Sequence, residues 1–371
     1  MTIGSRGYNN SVVARDGADV VFRNTVSVGG GGQPESLSNS LYIVGGETTF
    51  TINRDDPHPA TMGLVVSPSS GNPINLGGRG ANYVEVSDGA QLIITNRHSG
   101  QGLLIVGGTT NAASLGSTML ITSGAMVTNS ANTLIGTWFG HGDRTWAGSD
   151  NTLVVSNASF HNAGDVYVGS NNAMNTNAMT INSVIYEVVH LPTKNNAFIL
   201  AGEADAIVNG LVIGNSPLTQ DNRVSISGTS TFTVRGTLRI GNNGATNSQF
   251  IVEGTGASTV AQHLQMTDTG RLIFKLGDER VVDEESTKLV ITGNANLADG
   301  AILEVDAETW ARKKGGEVTL LTIAGSLNGV KTLHDLVNAM PKSPNYDVLV
   351  VGDKSLVLKS QRKSQTMIFI R

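Results

Sequence analysis

The densest chemistry in this 371-residue chain lies in one stretch, Thr137–Gly148 (TWFGHGDRTWAG), which brings together Trp138, Phe139, His141, Asp143, Arg144 and Trp146. With aromatics at 5% of the chain, no other segment gathers rings in this way. Trp and Arg dominate interface hot spots, and indoles beside a carboxylate and a guanidinium also suit stacking on a sugar. The same residues would equally serve to pin a loop onto the wall of its own fold. Sequence leaves contact surface and self-packed loop both open.

The other polar groupings carry less. Arg54, Asp55, Asp56 and His58 stand among prolines with no partner ligand nearby, so they read as an exposed turn. Calcium takes six to eight oxygens from a tight loop, and Asp278, Glu279, Asp283, Glu284 and Glu285 lack that alternating spacing. They read as a solvated charged turn. Gly29–Gly32 lacks the Lys and Ser/Thr of a phosphate-binding loop and opens no helix, which makes it a turn. The seven histidines form no His-x-His or His-Glu-x-x-His pair, and with no cysteine there is no thiolate ligand, thiol nucleophile or disulfide. No metal site and no cofactor are expected. Glycoside hydrolysis needs two carboxylates across the scissile bond. Between Ala81 and Gly270 the acids are sparse and do not recur in clusters, and lysine is reduced to Lys194. No catalytic residues are assigned, and the expectation is a protein that is not an enzyme.

The elements that must position these residues belong to a degenerate repeat that returns every 27 to 35 residues. One phrase is Asn-x-apolar-x-Val-x-x-Gly-Ala, seen as Asn82–Ala90 (NYVEVSDGA), Thr118–Ala125 (TMLITSGA), Asn151–Ala158 (NTLVVSNA) and Asn222–Thr229 (NRVSISGT). Its companion is apolar-x-Val/Ile-Gly, at Leu103–Gly107, Asn132–Gly136, Asp165–Gly169, Leu211–Gly214 and Thr237–Gly241. Strict alternation, as in Leu153 and Val155, sends one set of side chains inward from a strand. Gly, Asn and Asp at the phrase ends accept the φ > 0 conformations of sharp corners. An Asn recurring at one register can form an amide ladder between neighbours about 4.8 Å apart. The expected fold is therefore all-β, a β-solenoid with one repeat per coil. Residues 1–270 hold the repeats, with long loops expected over 34–80, where Pro57, Pro59, Pro68 and Pro73 break strands.

Gly at 45 of 371 residues with only 15% charge could signal disorder, but 39% apolar residues in alternation argue against it. A net charge of -5 gives no footprint for nucleic acid or an anionic membrane. No apolar run reaches the ~18 residues of a membrane-spanning helix. From Arg271 the character changes, with nine of the ten lysines at or after Lys275. Residues 271–358 read as the solenoid end and a cap. Short helices are expected at Asp306–Lys314 and Val330–Met340, and strands at Lys288–Thr292, Ala301–Val305, Val318–Ile323, Asp347–Val351 and Ser355–Leu358. Residues 359–371 are a polar linker followed by the β-prone segment Thr366, Met367, Ile368, Phe369 and Ile370. That segment folds back on its own cap, inserts into a neighbouring subunit as a donated strand, or is frayed and plays no part.

The phrases Asn82–Ala90, Asn151–Ala158 and Thr237–Gly241 resemble the passenger-associated repeats of autotransporters and of Gly/Asn-rich bacterial surface proteins. Gly293–Gly329 looks like the segment that closes such regions. The resemblance covers most of residues 1–360 and rests on low-information residue types. It implies export, a right-handed parallel β-helix and adhesive or structural roles. No translocator barrel follows within the sequence, a departure from the autotransporter pattern. Met1–Gly4 (MTIG) opens on a repeat phrase without a basic or apolar leader, so a chain whose export signal has been removed is expected.

Together these readings lead to an extracellular or cell-surface structural protein that is not inserted in a membrane and does not bind nucleic acid. Its partner would be a second copy, joined head to tail through Met1, Thr2, Ile3 and Gly4 at one end and Thr366–Ile370 at the other. A monomeric adhesin that binds glycan or a cell-surface protein through Thr137–Gly148 and the Pro57–Pro73 loops is one alternative. A polysaccharide lyase or hydrolase is the other.

Overall fold

The computed structural model describes residues 1–4, 9–23, 26–29, 38–54, 64–66, 81–96, 104–107, 114–138, 148–171, 178–181, 184–187, 193–254, 256–277, 287–313 and 316–361. They are predominantly β. Most strands pair in parallel with their counterparts one repeat along the chain, forming three ladders.

Sheet 1 contains ten strands, all parallel: Ser11–Ala14, Ser40–Val44, Tyr83–Ser87, Thr118–Thr122, Thr152–Ser156, Ala197–Ala201, Arg223–Ile226, Ser248–Glu253, Gly270–Lys275 and Ile302–Asp306. Sheet 2 begins at Asp19–Phe22 and passes through Thr49–Arg54, Gln91–Asn96, Met126–Asn129, Ser159–Asn162 and Asp205–Val208 to the first half of Thr231–Ile240. Sheet 3 begins at Thr2–Ile3 and passes through Val26–Val28, Leu64–Val66, Leu104–Val106, Thr133–Trp138, Val166–Asn171 and Leu211–Ile213 to the second half of the same strand. A register shift between Val234 and Thr237 marks the corner where that one strand serves both sheets.

Parallel pairing in register places like above like, and this is why the sequence alternates. In sheet 1, Leu41 and Ile43, Val84 and Val86, Met119 and Ile121, Leu153 and Val155, and Phe198 and Leu200 are all wholly buried. The interior is one contiguous apolar cluster from Ile3 to Leu358. Within it Phe160, Phe198, Phe232 and Phe250 follow one another at ring-centroid distances of 5.7, 5.8 and 6.5 Å, spacings at which aromatic pairs attract.

The expected amide ladder is present. The residue before the first seven sheet 1 strands is in turn Asn10, Asn39, Asn82, Ser117, Asn151, Asn196 and Asn222, and the register continues to Ser248, the first residue of the eighth. Asn151 donates from its backbone N–H and from Nδ2 to Asn196 Oδ1 at 3.1 and 3.0 Å. Asn196 repeats both bonds to Asn222 Oδ1 at 3.1 and 3.0 Å. Asn39 does the same toward Asn82. The column also explains the second phrase's glycine. Gly136 has φ +59°, and a Cβ there would lie 1.9 Å from Asn196 Oδ1. Gly107 and Gly169 meet Asn151 and Asn222 in the same way.

Repeat length is less regular than the phrases suggest. Neighbouring ladder asparagines are 43 residues apart from Asn39 to Asn82, 45 from Asn151 to Asn196 and 26 from Asn196 to Asn222.

Two helices occur among the described residues, inside the expected ranges but shorter: α1, Glu308–Lys313, and α2, Leu333–Ala339. α1 opens on Glu308 and ends on Arg312 and Lys313, complementing its dipole. α2 is held by a capping box in which Thr332 and Asp335 satisfy each other's backbone N–H groups. Trp310 of α1 is wholly buried, as are Leu333 and Leu336 of α2 apart from a few per cent. Beyond Glu317–Ile323, the end of sheet 2's parallel run, the pairing reverses. Ser355–Ser360 lies antiparallel to that strand, and Tyr346–Val351 lies antiparallel to Ser355–Ser360. No helix among the described residues is long and apolar enough to cross a membrane.

Candidate functional site

The two ends of the strand ladders differ in how their backbone groups are met. Thr2–Ile3 pairs on one side with Val26–Val28, where Ser27 N–H donates to Met1 O at 2.9 Å and Gly29 N–H donates to Ile3 O at 2.8 Å. The far edges of Thr2–Ile3, Ser11–Ala14 and Asp19–Phe22 pair with no strand among the described residues. Gly4, at φ +73°, completes this turn against the Asn39 side chain. Val13 and Val21, in the two longer edge strands, are 54% and 57% exposed. At the opposite end, Val330, Leu349 and Val351 are again large exposed apolar side chains, and Tyr346–Val351 pairs with one strand among the described residues.

Trp138 is the last residue of Thr133–Trp138, in register with Asn171 on sheet 3. The chain returns at Gly148–Ser149, which pairs with Ser114–Leu115, and Gly148 O accepts from Asn196 Nδ2 at 2.8 Å. Both roots of the aromatic loop are therefore anchored, the second on the amide ladder. Phe139, His141, Asp143, Arg144 and Trp146 lie outside the described residues, as do Asp55, Asp56, His58, Asp278, Glu279, Asp283, Glu284 and Glu285. Thr366–Ile370 also lies outside them. Arg54 closes the strand Thr49–Arg54.

Two polar groupings become visible only in three dimensions. On the outer face of sheet 2, His161 Nε2 lies 3.3 Å from Asp205 Oδ2, and Thr231 Oγ1 donates to Asp205 Oδ1 at 2.6 Å. The order is wrong for nucleophile activation. The hydroxyl donates to the carboxylate, whereas an activated hydroxyl donates to the imidazole base. The second is a shallow hollow of about 240 Å³ lined by Thr237, His263, Gln265, Asn294, Asn296 and Asn328. Gln265, Asn296 and Asn328 stand in one register column, and His263 Nδ1 accepts from the Asn294 N–H at 3.0 Å. Beside Leu264 and Ala295, the polar side chains of the lining are amide, imidazole and hydroxyl, able to hydrogen-bond a neutral polar group but without the paired carboxylates of a glycosidase. Sequence reasoning missed both groupings, because their members come from different repeats, 26 or more residues apart from one repeat to the next, and meet only through the register.

Elsewhere the perturbed tyrosines have structural causes. Burial raises the Tyr83 phenol, helped by its hydrogen bond to Glu85, and burial with the Asp165 charge raises that of Tyr167. No group of three or more His, Asp or Glu side chains placed to hold a metal occurs among the described residues. No family model matches the chain, and no curated protein matches it significantly.

Proposed function

We propose that this chain is a right-handed parallel β-helix that works as an exported structural subunit, assembling head to tail with further copies into a surface filament. The supporting observation is the N-terminal repeat. Three strand edges there lack partners among the described residues, and Val13 and Val21 stand exposed beside them. Unpaired N–H and C=O groups in a row are a template for another strand, and a head-to-tail contact that does not close on itself propagates into a filament. Met1–Gly4 forms one side of the junction, and Thr366–Ile370 of the next copy is the donated strand.

Negative-stain microscopy of the purified protein tests the proposal. Filaments are expected from the full chain, with loss of filaments when residues 360–371 are deleted. Filaments that form as readily from the deleted protein would remove the donated strand from the mechanism. Single short rods from the full chain would remove assembly itself. In that case the adhesin reading gains, because the aromatic loop is anchored at Trp138 and Gly148. A glycan array with and without Trp138→Ala then reads it.

A further inference from the structure

The strand Tyr346–Val351 has an edge that natural sheets seldom leave open. Its one partner among the described residues is Ser355–Ser360. Val348 and Val350 pack against the core, while Leu349 and Val351 on the opposite face are 42% and 54% exposed. The strand contains neither lysine nor proline to discourage a further strand. A second observation identifies what covers it. Ser360 stands in register with Tyr346, and the next residue, Gln361, donates its N–H to Asn345 O at 2.9 Å. The chain therefore leaves the described residues beside the start of the open strand. The far edge is two strand spacings away, about 10 Å. The four residues Arg362–Gln365 reach up to about 14 Å when extended. That reach is enough for Thr366–Ile370 to begin alongside Tyr346, with five residues to match a six-residue edge. As a strand the segment would offer two apolar faces, Met367 and Phe369 on one and Ile368 and Ile370 on the other.

We infer that Thr366–Ile370 adds in cis, parallel to the free edge of Tyr346–Val351, as a latch over the cap of its own chain. A linker this short gives an effective concentration in the millimolar range, so filaments form only where the edge of a neighbour binds the segment more tightly than its own cap does. The latch deepens the assembly reading and rests on it for one consequence only: the segment must leave its own cap before it can be donated to the N-terminal edge of a neighbour.

The native chain has no cysteine, so paired substitutions report cleanly by disulfide capture. Leu349→Cys is combined with Phe369→Cys, opposite it when Thr366 stands beside Tyr346, and, separately, with Met367→Cys on the same face, while Val13→Cys with Ile368→Cys reports donation to another copy. Under mild oxidation of dilute full-length protein, one of the first two pairs is expected to close within the monomer, at least ten-fold more completely than the third. The oxidised protein should form no filaments until it is reduced. No closure by either Leu349 pair, in variants whose circular dichroism matches the native chain, overturns the latch. So does closure that yields only covalent dimers. If the native protein makes no filaments while the monomeric disulfide forms, the latch stands and the assembly reading falls.

Discussion

The turn that precedes each sheet 1 strand is sealed differently in two parts of the molecule. Between Asn39 and Asn222 the position is mostly a buried asparagine, and the strand facing it ends in a glycine whose missing Cβ makes room for the amide. Toward the other end the same position holds Ser248, Gly270 and Ala301, and the interior is closed by the helices that bury Trp310. Long repeats fall in the first part, where ladder neighbours lie up to 45 residues apart. In the second part, paired sheet 1 strands lie as close as 22 residues apart, as from Glu253 to Lys275. Ordering a longer connection costs more entropy, and a buried amide that satisfies two donors of its neighbour fixes where the chain re-enters the stack. The comparison teaches that the asparagines secure register across the longest connections, though the 26-residue step from Asn196 to Asn222 has them too, and that apolar packing suffices at the other end.

The strongest way to break this comparison is to empty the packed end. Trp310→Ala removes a fully buried indole and should cost about 3–5 kcal/mol. The loss should stay local, because stacked repeats feel mainly their neighbours. Hydrogen exchange is expected to accelerate across α1, α2 and Tyr346–Ser360 while Tyr83–Ile226 keeps its protection. Uniform loss along the chain would show that the two parts are one cooperative unit.

Next comes Asn196→Ala, which leaves Asn151 N–H and Nδ2 buried without their acceptor. At about 1–3 kcal/mol for each of the two orphaned donors the expected cost is about 2–6 kcal/mol, read from urea unfolding. A loss below about 1 kcal/mol would mean that the ladder accompanies the register without securing it. Gly136→Ala sharpens the test. It places a Cβ against Asn196 and holds alanine at φ +59°, a left-handed backbone that by itself costs about 1–2 kcal/mol. Combined with Asn196→Ala its added cost should fall to that backbone cost, because the clash is gone and the two sites couple. Gly352→Ala is the matching control, with φ +57° and no atom within 4 Å of the added Cβ.

Much of this was legible before any coordinates. Alternation in phrases such as Leu153–Val155 marks a face that must be buried, and the recurring Asn and Gly declare a repeated corner. In the sequence, Leu64–Val66 is followed by Ser67 where Val26–Val28 and Leu104–Val106 are followed by glycine, and Ser117 stands where the column would have asparagine. α1 and α2 followed from end charges and apolar spacing. The reversal to antiparallel pairing at Ser355–Ser360 was not legible, since an alternating strand reads the same in either direction. Nor were the His161–Asp205–Thr231 contacts or the Gln265–Asn296–Asn328 column. Insertions make the repeat uneven, so the residue that faces another is set by register rather than by a constant interval. The Trp138 loop was visible as composition, and the structure adds its two roots.

The smallest expected effect separates the two parts by charge. The ladder is built from neutral amides with no proton to gain between pH 3 and 7. The packed end depends on carboxylates. Hydrogen bonds from Ser343 and then Asn345 hold the Glu308 carboxyl below its ordinary value, and those from Thr332 do the same for Asp335. A carboxylate whose pKa is lower in the folded state lends stability above its unfolded pKa and loses it as pH falls through the folded value. Both contributions should therefore be intact above about pH 5 and drain away below about pH 4. Both carboxylates are solvent-exposed, which keeps the effect modest. Hydrogen exchange, corrected for its intrinsic pH dependence, should show α1 and α2 opening as the solution is acidified to pH 3 while Asn151–Ile226 keeps its protection. Glu308→Gln should flatten the response at α1 and leave that at α2. If the ladder region loosened at the same pH as the helices, the amide column would owe its stability to the packed end, and the division between the two parts would fail.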